Sequence, residues 1–372
     1  MTLRKTLVYA AFMAASIATA PTSATELIYG TGSGSKSRIN IDAIVPFMEA
    51  TTKASGGSIT WKYMPGNQIV TVFSALKGVR DGLVDAGMVV PVFARKDLIH
   101  VNVVYDTYYY SGDDPIAASG AAHETILLRC PACVEEYRRN KAFLLASYGG
   151  STDSLVCTKP VRTLADLKGL KVRAAGAQQR IAKALGTVPI AVPPQELTLA
   201  LERGALDCAI MALNWMVSFG VQDVAKHVLD LPMGSSRGLG LIVMSRPSWD
   251  KLDPAQKKIL WEHAPLASAR AVATSYIALD KKYRETAKGI TFYKPGDDLK
   301  AILKQVVADE RGNLVKALQK QGAKNVGAIV DAYLEVLEKW KRLSRDEIKD
   351  DPNAYARALE REIYRKVDPN KL

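Results

Sequence analysis

Apolar and polar positions change their period repeatedly along the chain, and each change predicts an element. Thr25-Glu26-Leu27-Ile28-Tyr29-Gly30 reads as a strand ending in the loop TGSGSKS, and INIDAIVPFMEATTKAS has helical spacing broken by Pro46. SITWKYMP alternates as a strand, VTVFSALKGVRDG carries apolar residues three and four apart, and VDAGMVV is a short apolar strand. AAHETILLRCPACVEEYRRN then reads as helix, with AFLLASYGG and SLVCTKPV as strands. From LKVRAAG through QQRIAKALG, PIAVP, PQELTLALERG and LDCAIMA, strand and helix alternate, with Gly186 and Gly204 closing the two helices. Repeated strand–helix units imply parallel sheets in an α/β protein, and two such series imply two α/β lobes.

The last third changes character. Asp253-Pro254-Ala255-Gln256 is a helix start, with Asp as N-cap, Pro in the first turn and Gln closing a capping box. The helical pattern runs from there without glycine to Lys288, unusually long for a globular helix. KGITFYKPGDD interrupts it before LKAILKQVVADERGNLVKALQKQG and NVGAIVDAYLEVLEKWKRL. Ser344 to Leu372 carries seven basic and seven acidic residues with few apolar ones, which predicts a solvated helical tail.

Composition adds a compartment and a sign of charge. The 372 residues are 48% hydrophobic and 24% charged, ordinary globular values. Lys and Arg outnumber Asp and Glu by 50 to 38, a formal charge of +12, which favours an anionic partner. The basic residues are interleaved with acids and form no run of five, so nucleic acid is not the expected partner. Residues 1–24 have a short basic start, an apolar stretch and a small-residue end, the layout of a cleaved secretory signal peptide, with Thr25 as the mature N-terminus. The remaining chain is then periplasmic, where disulfides persist. Cys130 and Cys133 form CPAC, read as a structural disulfide ahead of a redox pair; Cys157 and Cys208 lie in strand-like runs, as a second bridge or as buried thiols.

Catalytic leads are few. No G-x-S-x-G elbow, P-loop or H-E-x-x-H occurs, and Gly30-Thr31-Gly32-Ser33-Gly34 lacks the spacing of a dinucleotide fingerprint. Without a second CxxC, and with four histidines scattered singly, no metal or cofactor site is expected and no enzymatic activity.

The stretch VRTLADLKGLKVRAAGAQQRIAKALGTVPIAVPPQELTLALERGALDCAI, residues 161–210, resembles the solute-binding proteins of TRAP transporters, the DctP-type family, through DLKGLKVR, LGT, PIAVPPQELTLAL and ERGALD in order. YMPGNQIVTVFSALKGVRDGLVDAG upstream and SRPSWDKLDPAQKKILWEHA downstream are similar to further segments of that family, so the resemblance spans nearly all of 25–342. It implies an α/β, two-lobed periplasmic binding protein fold with a long helix spanning both lobes. The lobes are expected at 25–149 plus about 239–278 and at 150–238 plus about 279–342, with 343–372 as the charged tail. It also implies a carboxylate ligand held in the cleft by the arginine of the LK-x-R strand, Arg173, and delivery to the small and large TRAP membrane subunits. A planar guanidinium matches a carboxylate, and burial strengthens the pairing.

The sequence departs from the family at three places. Arg173 is followed by Ala174-Ala175-Gly176; the crossover that often carries a second arginine reads Gly149-Gly150-Ser151-Thr152-Asp153; and a frequent asparagine is replaced by Met211, with Asn214 and Trp215 close behind. With one cation fewer and Asp153 nearby, a monocarboxylate, or a zwitterion whose amine meets Asp153, fits the residues at least as well as a dicarboxylate. Asn67 and Gln68 lie in a loop that faces the cleft in similar proteins, while Tyr105, Tyr108, Tyr109 and Tyr110 either donate a hydroxyl to a ligand or plug the lobe interface. The competing functions are a sensor that engages a histidine kinase and an exported CxxC thiol oxidoreductase.

Overall fold

The computed structural model describes residues 24–372; all but the last residue of the expected signal segment lies outside the described residues. Two sheets form, each at the centre of one lobe. In the first, the strand Thr25–Gly30 is flanked in parallel by Ile59–Met64 and Ala86–Val89. Gly240–Ser245 then adds antiparallel to Ala86–Val89 and carries Ala142–Ala146 on its far side. Those last two strands are buried along their whole length, which suits apolar runs with helices on both faces.

The second sheet orders its strands as Thr291–Tyr293, His227–Leu229, Ser154–Cys157, Cys208–Met211, Lys171–Arg173 and Val188–Ile190. Side chains alternate across it: Leu155, Cys157 and Ile210 enter one core, and Val156, Ala209 and Met211 enter the other. Cys157 stands opposite Cys208 in the antiparallel register, so the two form a disulfide. Cys130 and Cys133 form the second disulfide, buried at the start of the helix Pro131–Arg139. Among the described residues no cysteine is free.

Four segments join the lobes, the last of them the helix Asp297–Lys320. Gly149–Thr152 and Ser235–Arg237 pair antiparallel as a two-stranded ribbon between the sheets. The third is the long helix, which begins as the sequence implies: Asp253 Oδ1 accepts from Gln256 N (2.8 Å), and Gln256 Oε1 accepts from Asp253 N (3.1 Å). It runs as α-helix over Pro254–Val272 despite an internal proline, Pro265, passes a π-helical turn at Ala273–Ala278, and continues as Leu279–Thr286. Leu260 and Val272 lie in the first lobe's core and Tyr283 in the second's, so this helix spans both lobes.

The C-terminal boundaries differ from the sequence reading. The helix Asp297–Lys320 buries Leu299 in the second lobe and Leu314 and Leu318 in the first, and Val326–Leu343 packs wholly on the first. Its apolar stripe, from Ile329 to Trp340, seats against the helix Pro115–Glu124, where Gly120 leaves room for the Trp340 ring. Trp340 Nε1 donates to Glu124 Oε2 at 2.7 Å.

Nor is the segment 344–372 a solvated tail. The helix Pro352–Glu362 buries Ala354, Tyr355, Ala358 and Leu359 against the long helix, and Ile363 and Tyr364 follow them into the first core. Tyr355 packs edge-on against Trp340, and the Tyr364 hydroxyl donates to Leu145 O at 2.8 Å. The charges occupy the outer face and pair there, as Arg361 with Glu347 and Arg365 with Glu360. Their density in the sequence masks a narrow apolar stripe.

Candidate functional site

The lobes enclose a cavity of about 80 Å³. By the measure in which one water needs roughly 10–15 Å³, it has room for several waters or a small ligand. Met88, Tyr105 and Tyr276 line it from the first lobe's side, and Arg173, Asn214 and Trp215 from the second's.

Arg173 ends the strand Lys171–Arg173, and its position is fixed from behind. Nε donates to Val192 O (3.1 Å), while Nη1 donates to Ile210 O and to Gln178 Oε1 (3.2 Å each). The guanidinium lies 5.0 Å from the centre of the Trp215 ring, a cation–π distance. Arg173 is only 4% exposed, and its Nη2 donates to no described residue. Burial pulls its pKa down, opposed by Tyr105, Asp153 and Tyr108, yet a guanidinium starts so high that it remains charged.

Asp153 stands one layer back and does not line the cavity. Its Oδ2 accepts from the Tyr108 hydroxyl (2.6 Å) and from Gln178 Nε2 (2.7 Å), so it orients Gln178, which in turn orients Arg173. The expected role of Asp153 as the partner of a ligand amine is therefore replaced by a positioning role. Met211 points into the second lobe's core. Asn67 and Gln68 are exposed and outside the cavity, because Gly66 and Asn67 bond through their backbone to Ser33 O and Thr31 O and turn both side chains away. The loop they brace contributes Ser33 instead. Of the tyrosine cluster, Tyr105 lines the cavity, while Tyr108 and Tyr109 plug the second lobe's core.

Several lining residues carried no signal in the sequence. Arg237, on the return crossover and 2% exposed, is a second cation at the cavity. It donates to Val104 O (2.9 Å), Thr107 O (3.1 Å) and the Tyr333 hydroxyl (2.7 Å), with no ion pair to a described residue. Burial pulls its pKa down, with Tyr333, Tyr105 and Tyr108 opposing. Burial also raises the Tyr105 phenol to about 12 and those of Tyr148 and Tyr276 above their usual range, so all three stay protonated at neutral pH.

Asp280 couples the long helix to this site. It accepts from the Ser151 hydroxyl on the ribbon and from the backbone N–H groups of Leu213 and Asn214. Burial raises its carboxyl to about 7, against the lowering effect of those donors. An unfolded aspartate titrates near 3.9. Between these pH values the folded protein holds a proton that the unfolded chain has released, so stability falls as pH rises from about 4 to about 7. Glu310, raised to about 7 chiefly by burial, acts in the same direction. In thermal melts at pH 5 and pH 8, Asp280→Asn is expected to narrow the difference between the two midpoints; an unchanged difference would refute this assignment.

Gly176 marks where the lobes touch. It has φ 54°, and a Cβ there would lie 2.9 Å from both Asp106 Oδ1 and Tyr105 Cε1 across the interface. Gly176→Ala is expected to weaken ligand affinity about tenfold, from roughly 1–2 kcal/mol of backbone strain and hindered closure. Unaltered affinity by calorimetry would show that the lobes do not need this approach.

Fold and site together define a two-lobed α/β protein with a cavity between its lobes lined by two buried arginines. The model of bacterial extracellular solute-binding protein family 7, DctP, matches residues 30–310, and the chain belongs to that family. A solute-binding protein of Albidiferax ferrireducens is 23% identical over 225 residues, 58% of this chain and 62% of that protein, so the match spans less than two thirds of that relative. Among solved structures, a TRAP solute-binding protein from Rhodoferax ferrireducens with copurified benzoate superposes with TM-score 0.76 at 20% identity, covering 86% of this chain and 99% of that one. A marine metagenome TRAP protein specific for aromatic acid ligands, in complex with 3-hydroxybenzoate, gives 0.74 at 20% identity over the same shares.

Proposed function

We propose that this protein is the extracytoplasmic receptor of a TRAP transporter, closing around a small monocarboxylate and delivering it to the membrane permease without altering it. Arg173 carries the reading. A buried guanidinium whose Nη2 donates to no described residue is expensive unless a ligand anion completes it. Two guanidiniums at the cavity favour an anionic ligand, and the small volume between the lobes favours a monoacid. The rings of Tyr105, Trp215, Phe219 and Tyr276 suit a planar, largely apolar body, in keeping with the benzoate and hydroxybenzoate of the structural neighbours.

Residues 1–24 serve in this reading as the export signal, placing the receptor in the periplasm. Among the described residues no helix is long and apolar enough to cross a membrane. Calorimetry with benzoate and phthalate tests the charge: the monoacid is expected to bind one to one and the diacid at least tenfold more weakly. A preference for phthalate would overturn the monoanion reading. Receptor-dependent uptake of the bound acid by vesicles carrying the two membrane subunits tests delivery, and uptake that is the same without the receptor would refute it.

A further inference from the structure

The cavity holds acceptors that a carboxylate cannot satisfy. Asn214, 3% exposed, lines it, and among the described residues nothing donates to its Oδ1. Gln195 lines it as well, and its buried Oε1 is likewise without a donor. Both amides are oriented from their far ends. Asn214 Nδ2 donates to Ser275 O (2.9 Å) and Gln195 Nε2 to Gly32 O (3.3 Å), so flipping either would set oxygen against oxygen. Asn214 is further fixed through its backbone N–H, which donates to Asp280.

A benzoate-like ligand offers its carboxylate to Arg173 and is acceptor-only there, so it leaves both amide oxygens bare. We infer that the physiological ligand carries, besides its carboxylate, a hydroxyl or N–H hydrogen-bond donor, and that Asn214 and Gln195 are the residues that select it. The inference rests on the carboxylate reading of Arg173. A buried acceptor left unsatisfied weakens binding by enough to discriminate between two acids that differ only in that donor.

Three matched pairs test it by titration calorimetry on the full chain: mandelate against phenylacetate, 3-hydroxybenzoate against benzoate, and pyroglutamate against its lactone counterpart 5-oxotetrahydrofuran-2-carboxylate. The first two place a hydroxyl differently and the third supplies an N–H, so the preferred pair identifies the donor. In at least one pair the donor-bearing acid is expected to bind about tenfold or more tightly. That ratio is expected to fall toward one in Asn214→Leu and in Gln195→Met. Ratios near one in every pair for the parent protein, or a preference that survives both substitutions, would overturn the inference. If Asn214→Leu does not fold, the parent ratios and Gln195→Met decide. Binding of the donor-free acids with no gain from a donor removes this inference alone; no binding by any of the six acids removes the carboxylate reading and this inference with it.

Discussion

Arg173→Met is expected to weaken carboxylate binding by roughly 30-fold to several-thousand-fold, the equivalent of about 2–5 kcal/mol for truncating one partner of a buried charge pair. The loss has two sources. In the proposed function Nη2 is the donor that meets the ligand, while Nε and Nη1 brace Val192, Ile210 and Gln178 around the site. Arg173→Lys keeps the charge and loses the fork, so an intermediate loss separates geometry from charge. The melting temperature of Arg173→Met is expected to stay within a few degrees of the parent, because removal of a buried charge offsets the loss of its hydrogen bonds to Val192, Ile210 and Gln178. Calorimetry and thermal denaturation on the same preparations check both statements. Affinity unchanged within twofold would remove Arg173 from the site.

Ending the chain at Leu343 is expected to lower the melting temperature by more than 10 °C. The deletion strips Tyr355, Leu359, Ile363 and Tyr364 from the first lobe's core and exposes the Trp340 and Trp261 rings they pack against. Each large buried side chain lost costs about 2–5 kcal/mol, and 1 kcal/mol moves the midpoint by about 2–4 °C in domains of this size. The milder variant Tyr364→Ala removes one ring and its hydrogen bond to Leu145 O and is expected to lower the midpoint by roughly 4–20 °C on the same figures. A truncated chain that melts with the parent would restore the solvated tail.

These two positions show what the sequence exposes and what it hides. Arg173 is legible because its strand, the following helix and LGT turn stand in a recognisable order, and the long helix is legible because its cap is built from adjacent residues. Local chemistry of that kind survives in a single sequence. Arg237, Tyr148 and Tyr276 reach the cavity from segments far apart in the chain, and an arginine in GSSRGLG looks no different from a surface one. Asp153 was legible as a neighbour of the site but not as the anchor of Gln178, since that role depends on a Tyr108 hydroxyl arriving from the other lobe. The C-terminal segment misleads for a different reason: its average polarity is set by an ion-paired outer face, while the four residues that dock the helix Pro352–Glu362 occupy one narrow stripe.

The positive charge of the chain narrows in the same way. The excess of +12 is spread along the sequence with no basic run, a field that favours anions in general. In the proposed function, selection falls to Arg173 and Arg237, which are buried, and to the phenols and amides beside them.

The most direct test is a crystal structure of the full mature chain grown with the tightest-binding acid from a thermal-shift screen of mono- and dicarboxylates, amino acids and amines. The expected result is a monocarboxylate enclosed between the lobes, one oxygen within hydrogen-bonding distance of Arg173 Nη2 and its body among the rings of Tyr105, Trp215 and Tyr276. A ligand seated with no contact to Arg173, or a screen in which only amines or neutral solutes stabilise the protein, would contradict it.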